Sequence, residues 1–152
     1  MKRRDLIRMS DDEVASFLQG RHAMNVATIN HDGTIHLVPM WYGFVGDRLA
    51  FWTYGKSQKV RNLERNPRLT CLVETGQSYD ELQGVELVGK GEIVTDRDEV
   101  MAIGRSVFDR YVAEWHDGFQ PELERTGAKR VGVMIDVDRI VSWDHRKLAG
   151  GY

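Results

Sequence analysis

Cys71 is the only cysteine in the 152-residue chain, so neither an internal disulfide nor a cysteine-built zinc cluster is available. Proline is scarce, at three residues, and no Pro/Gly/Ser-rich linker interrupts the sequence, which therefore reads as one domain over 1–152. Residues 1–9 read as an N-terminal arm and 144–152 as a polar C-terminal tail. No apolar run approaches the ~20 residues of a membrane span. The basic start Lys2-Arg3-Arg4 is followed by no apolar segment of signal-peptide length, so a cytoplasmic address away from membranes is expected. The five histidines include no i, i+4 pair and no His-Glu motif, and no metal site is expected. Net charge is small, at -2, and a broad basic face for nucleic acid is not in view. What is present is an ordinary soluble balance of 41% apolar and 29% charged residues, which argues against disorder.

The charge is unevenly spread. Residues 56–68 carry Lys56, Lys59, Arg61, Arg65 and Arg68 against Glu64 alone, whereas 74–124 is strongly acidic. A short basic segment in an acidic chain reads either as a solvated helix face or as a local site for an anion. Ser10-Asp11-Asp12-Glu13 has capping-box form and opens a helix with Val14, Phe17 and Leu18 on one stripe. Strands are expected at 22–29, 34–45, 48–54, 68–74, 85–94, 129–137 and 139–143, with a hairpin at Asp32-Gly33. Gly89 and Gly91 mark a bend or bulge, and Thr95 caps a long helix from 96 to about 115. Residues 117–127 read as a loop.

Hairpin-length connections favour an antiparallel sheet, and about seven such strands close best as a barrel. The strands do not alternate cleanly between apolar and polar. Leu49, Phe51 and Thr53 oppose Ala50, Trp52 and Tyr54, so both faces carry large side chains. The outer face must meet a helix, a ligand or another subunit, and a homodimer is the first expectation.

The most informative stretch is Phe51-Trp52-Thr53-Tyr54-Gly55-Lys56-Ser57-Gln58-Lys59-Val60-Arg61-Asn62-Leu63. A strand passes through glycine into a helix whose first turn carries lysine, serine and lysine. Free amides at a helix start attract phosphate, and the lysines and hydroxyls add charge and hydrogen bonds. It is neither a Walker A loop nor a Rossmann fingerprint. A phosphate site and a plain surface helix both remain open on these residues alone.

Pro39-Met40-Trp41-Tyr42, Phe51-Trp52-Thr53, and Lys56-Ser57-x-Lys59-x-Arg61-Asn62-Leu63 before Asn66-Pro67-Arg68 together resemble the pyridoxamine-5'-phosphate-oxidase-like FMN-binding split-barrel superfamily. The ending Val141-Ser142-Trp143-Asp144-His145-Arg146-Lys147-Leu148 resembles its branch that depends on the deazaflavin coenzyme F420. The resemblance implies a mainly β fold with flanking helices, a six- or seven-stranded antiparallel split barrel, and a homodimer with cofactor sites between subunits. It implies that Lys56, Ser57 and Lys59 hold the cofactor phosphate, with Gln58 and Val60 nearby. Met40, Trp41 and Tyr42 would line the ring, Thr53 would hydrogen-bond near it, and Trp143, Arg146 and Lys147 would reach the neighbouring subunit's site. Trp52 is expected to pack, Asn62 to support the helix, and Cys71 to be a buried hydrophobe.

The implied activity is hydride transfer from reduced F420 to a small unsaturated acceptor such as an enone, quinone or tetrapyrrole. An FMN-dependent flavin reductase or pyridoxamine-phosphate oxidase is the alternative, and a non-catalytic cofactor-binding protein a second. No catalytic residue is assigned, and Tyr42, Tyr79 and water all remain open as proton donor. Asp144-His145 does not read as a catalytic pair, since adjacent strand residues point apart.

Overall fold

The computed structural model describes residues 2–148, so Met1 and the last part of the tail, 149–152, lie outside the described residues. A single turn, α1 (Arg3–Leu6), precedes α2 (Asp11–Leu18). The capping box forms as expected. The Glu13 amide donates to Ser10 Oγ at 3.2 Å, and the Ser10 amide donates to Glu13 Oε2 at 2.7 Å.

Strands β1 (Met24–Ile29) and β2 (Ile35–Met40) make the hairpin, with Gly33 at φ +86° in its turn. The short β3 (Gly43–Val45) and β4 (Arg48–Tyr54) follow, then α3 (Gln58–Arg65), β5 (Arg68–Thr75) and β6 (Gln83–Val94). The long α4 (Arg97–Tyr111), α5 (Gln120–Gly127) and β7 (Arg130–Asp144) complete the fold, and a 3-10 turn spans His145–Leu148.

The seven strands form one antiparallel sheet in the order β2-β1-β5-β6-β7-β4-β3. Its two edge strands are consecutive in sequence, joined by Trp41 and Tyr42. The sheet therefore curls until its edges meet along the chain without pairing, which is a split barrel.

Four expectations need correction. The strand read over 34–45 is two strands, because the backbone leaves the ladder at Trp41-Tyr42. There the Tyr42 hydroxyl donates to the Leu18 carbonyl at 2.7 Å, and its own carbonyl accepts from Arg110 Nε at 2.9 Å. The two strands read over 129–143 are one. The break expected at Asp138 is a bulge within one strand, since Val137 pairs with Gly89 and Arg139 with Val88, leaving Asp138 unpaired. Gly89 is required at this bulge, since a Cβ would lie 1.9 Å from the Asp136 carbonyl oxygen. The long helix has Asp96 rather than Thr95 at its N-cap position, with no side-chain capping bond, and ends at Tyr111. Residues 120–127 form a helix rather than a loop, with Pro121 in its first turn and Leu123 buried.

Strand β4 divides the core in two. Leu49 and Phe51 point into the barrel with Met24, Val26 and Val73, while Ala50 and Trp52 point outward against Val100, Ile103 and Leu123. The outer face of β4 is thus met by α4 and α5. The outer face of β2 has no such cover, and Ile35 and Leu37 stay 59% and 63% exposed. Cys71 is fully buried, and burial pushes its thiol up to about 12, as expected of a small core residue.

Candidate functional site

Strand β4 ends at Tyr54, and the turn Gly55-Lys56-Ser57 delivers the chain into α3. The Ser57 amide donates to the Tyr54 carbonyl at 3.0 Å, and the Gly55 amide donates to the Lys129 carbonyl at 3.0 Å. These bonds fix the turn against the start of β7. Helix α3 is held from the other side by Asn62, which is fully buried. Its amide donates to Thr28 Oγ1 at 3.0 Å and Asn30 Oδ1 at 2.9 Å, and its oxygen accepts from Gln58 at 2.8 Å. Asn62 supports the helix, as expected.

Lys59 is only 9% exposed. Among the described residues its ammonium has one hydrogen-bond partner, Thr53 Oγ1 at 3.0 Å, and no ion-pair partner. Burial, and secondarily the Arg130 guanidinium, depress its pKa below the ordinary lysine value. The Ser57 hydroxyl, two residues earlier at the helix start, is also buried, caps nothing, and has no hydrogen-bond partner among the described residues. Lys56 is exposed and Val60 buried. An ammonium, an orphaned hydroxyl and the first amides of a helix, with no carboxylate among them, make a donor set suited to a phosphate.

The aromatic residues separate. Trp41, 53% exposed, stacks on Tyr111 with centroids 5.0 Å apart and planes 4° from parallel. With Pro39 and Met40 it forms one wall of a cleft of about 620 Å³ whose floor is Trp52 and whose far side is α4 and α5. Tyr42 does not join them. It has no exposed surface, its hydroxyl is given to backbone carbonyls, and burial raises its pKa further. The ring-lining role expected of Tyr42 is therefore not available without opening the core, and the same holds for proton donation from it. Trp52 packs as expected, and also faces the cleft.

Trp143, Arg146 and Lys147 lie at the opposite end of β7 from Arg130, on the order of 40 Å along the extended strand. Arg146 grips Asp144 through Nε at 2.9 Å and Nη2 at 2.7 Å, and Lys147 donates to Glu13 at 2.6 Å. These bonds tie the tail back onto the domain. Arg146 holds the Asp144 carboxyl below its usual range, so the pair stabilises the fold above the ordinary aspartate pKa and loses that contribution as pH falls through the lowered one. Asp144→Asn is expected to cost about 1–2 kcal/mol at neutral pH. Urea titrations at falling pH should show the gap from wild type closing as Asp144 protonates, and a constant gap would contradict the pairing.

Sequence reasoning missed Arg130 and Arg110. Arg130 lies over the rings of Tyr54 and Trp52 at 4.4 and 5.1 Å. Its only sequence signal is its place at the start of a strand, and nothing local couples it to β4. Among the described residues no group of three or more His, Cys, Asp or Glu is arranged for a metal ion, and no helix is long and apolar enough to cross a membrane.

The conserved hypothetical protein Rv2991 from Mycobacterium tuberculosis superposes with a TM-score of 0.94 at 40% identity, covering 100% of this chain and 95% of that one. A protein described as an F420 reductase gives 0.65 at 26% identity, over 82% and 93% of the two chains. The heme storage protein HutZ from Vibrio cholerae gives 0.67 at 13% identity, over 87% and 94%, and shares the fold alone. A search of curated proteins finds no match. The family pattern for pyridoxamine 5'-phosphate oxidase matches residues 10–144, from the capping serine to the end of β7, and the chain belongs to that family.

Proposed function

We propose that this protein is a coenzyme F420-dependent reductase that passes a hydride to a small unsaturated acceptor. The observation that carries the reading is Lys59, a cation almost fully buried with no counter-ion among the described residues, in a turn that also holds the buried, unpartnered Ser57 hydroxyl. Desolvating an ammonium without an anion is costly unless a ligand supplies one. A phosphate of a flavin-type cofactor does so, and the F420 reductase at 26% identity favours the deazaflavin over FMN.

When bound, the reduced deazaflavin supplies the hydride. The chain's own part is placement. Lys59, Ser57 and the first amides of α3 anchor the phosphate, with Lys56 adding charge from solvent. Thr53 holds the Lys59 ammonium in place. Trp41, braced by Tyr111, offers a flat wall with Met40, and the cleft beside it excludes water from the acceptor. Tyr42 takes no part in proton transfer, which leaves water or Tyr79 as the source.

We further propose that a second copy covers the outer face of β2, where Ile35 and Leu37 are exposed, and that the partner's tail completes the cofactor site. A homodimer should sediment at about twice the 17.5 kDa of the chain.

Paired fluorescence titrations with F420 and FMN test the cofactor. Tight F420 binding with FMN weaker by at least about tenfold is expected, a difference of about 1.4 kcal/mol. The reverse order would assign the protein to FMN chemistry, and binding of neither would remove the redox role.

A further inference from the structure

Arg130 lines the cleft with its guanidinium over Trp52. The lining is apolar over most of its extent, formed by Pro39, Trp41, Trp52, Val107 and Phe108 among others. Charge enters it at Glu122 and Arg130 alone among the described residues. Glu122 is neutralised by Arg125, which donates to both of its carboxylate oxygens. Arg130 has no such partner. It donates Nε to the Thr126 carbonyl at 3.1 Å, and among the described residues nothing accepts from its two terminal nitrogens.

The guanidinium is nevertheless held firmly. Its stem begins at β7 directly opposite Tyr54, and its plane lies over the Tyr54 and Trp52 rings. A half-buried guanidinium with an immobilised stem and two free terminal nitrogens is preorganised for a planar oxyanion. The cleft floor is flat for a related reason. Gly104 of α4 and Gly127 of α5 let both helices close on Trp52, since a Cβ at either would lie 2.3 or 2.8 Å from its Cζ3 atom. Trp41 stands as the adjoining flat wall.

We propose that the cleft binds a planar, largely apolar acceptor carrying a carboxylate, with Arg130 as the specificity-determining residue that pairs with the acid. The acceptor role rests on the reductase reading above, whereas the binding claim does not depend on it. Because the cleft shares Met40 and Trp41 with the expected ring wall, a molecule anchored at Arg130 lies beside that wall.

Calorimetric titration of the full chain with 2-naphthoate and with neutral 2-naphthamide, each with and without F420, tests the claim. The acid should bind at least about tenfold more tightly than the amide. Arg130→Met, which keeps the apolar stem, should erase that preference while leaving amide binding in place, and Arg130→Lys should restore part of it. Val112→Trp, an exposed change at the cleft mouth, should weaken both ligands and keeps the test open should the arginine variants fold poorly. Equal affinity for acid and amide in the wild type, or undiminished binding in Val112→Trp, would overturn the inference. So would an Arg130→Met protein that loses F420 affinity as severely as a Lys59 variant, because Arg130 would then belong to the cofactor. A protein that discriminates acid from amide yet binds no F420 would remove the reductase reading and leave this site standing.

Discussion

Lys59→Met should weaken F420 binding by about 100-fold, about 2.7 kcal/mol, while making the unliganded protein more stable. The two effects have one origin. In the free fold the ammonium is stripped of water, rests on a single hydroxyl, and feels the Arg130 guanidinium nearby. An uncompensated cation of this kind opposes folding, and an apolar side chain of similar length removes the penalty, about 1 kcal/mol being a reasonable scale. In the complex the same ammonium meets an anion in a low-dielectric pocket, where the charge-assisted bond is strong.

The sign of the pH dependence separates this from a packing effect. The folded pKa of Lys59 lies below the unfolded value, so between the two the unfolded chain binds more protons. Wild-type stability should therefore gain a contribution as pH rises from the lowered pKa toward about 10.5, and Lys59→Met should lack it. Anion binding should draw Lys59 back to its charged form, with proton uptake measurable in buffers of different ionisation heat at alkaline pH. Unchanged F420 affinity in Lys59→Met would remove the phosphate assignment.

That site was legible in sequence to an unequal degree. The strand–glycine–helix passage through Tyr54, Gly55 and Ser57 is local, and local chemistry predicted both the turn and the helix start. So was the capping box at Ser10, because its two hydrogen bonds join residues three apart. The two-faced character of β4 followed from large side chains at both parities, and the structure meets it with barrel core on one side and helices on the other. Gly89 announced the bulge because glycine in a strand interior needs a reason.

What failed to read out depends on distant partners. Tyr42 adjoins Met40 and Trp41 in the motif, so the family resemblance groups it with the ring wall. Its true place is decided by the Leu18 carbonyl and by Arg110, residues 24 and 68 positions away. The polar segment 120–127 shows one buried apolar side chain, Leu123, and its helix is made by packing on Trp52 through Gly127. Strand β7 runs on past the notional break at Asp138 because that residue is accommodated as a bulge, left unpaired between Val137 and Arg139 opposite Gly89 and Val88 of β6. Arg130 belongs to the same class, since its neighbours Trp52 and Tyr54 lie on another strand.

Arg110→Met should produce the largest loss of stability of any single change considered, about 3 kcal/mol. By the usual scaling this lowers the melting temperature by roughly 6–12 °C. The guanidinium donates to the carbonyls of Tyr42 at 2.9 Å, Gly20 at 3.0 Å, Gln19 at 3.2 Å and Leu18 at 3.4 Å. It thereby satisfies the C-terminal carbonyls of α2, a position where a cation also suits the helix dipole. It also lies over the Tyr42, Phe44 and Tyr111 rings at 4.7, 4.9 and 5.4 Å. One side chain on α4 thus joins α2, the broken strand at Trp41-Tyr42, and the aromatic brace behind the cleft. Methionine would retain part of the ring contact but remove the Arg110 donor from the Tyr42 and Gln19 carbonyls and leave those of Leu18 and Gly20 to share the Tyr42 hydroxyl, each lost charge-assisted bond costing about 1 kcal/mol or more. Lysine, a point charge without the planar fork, should recover less than half of the loss. Because Tyr111 carries Trp41, the variant should also loosen the cleft wall, visible as a change in tryptophan emission below the melting transition. A melting temperature within about 2 °C of wild type, corresponding to less than about 1 kcal/mol, would show that water replaces the arginine at these carbonyls.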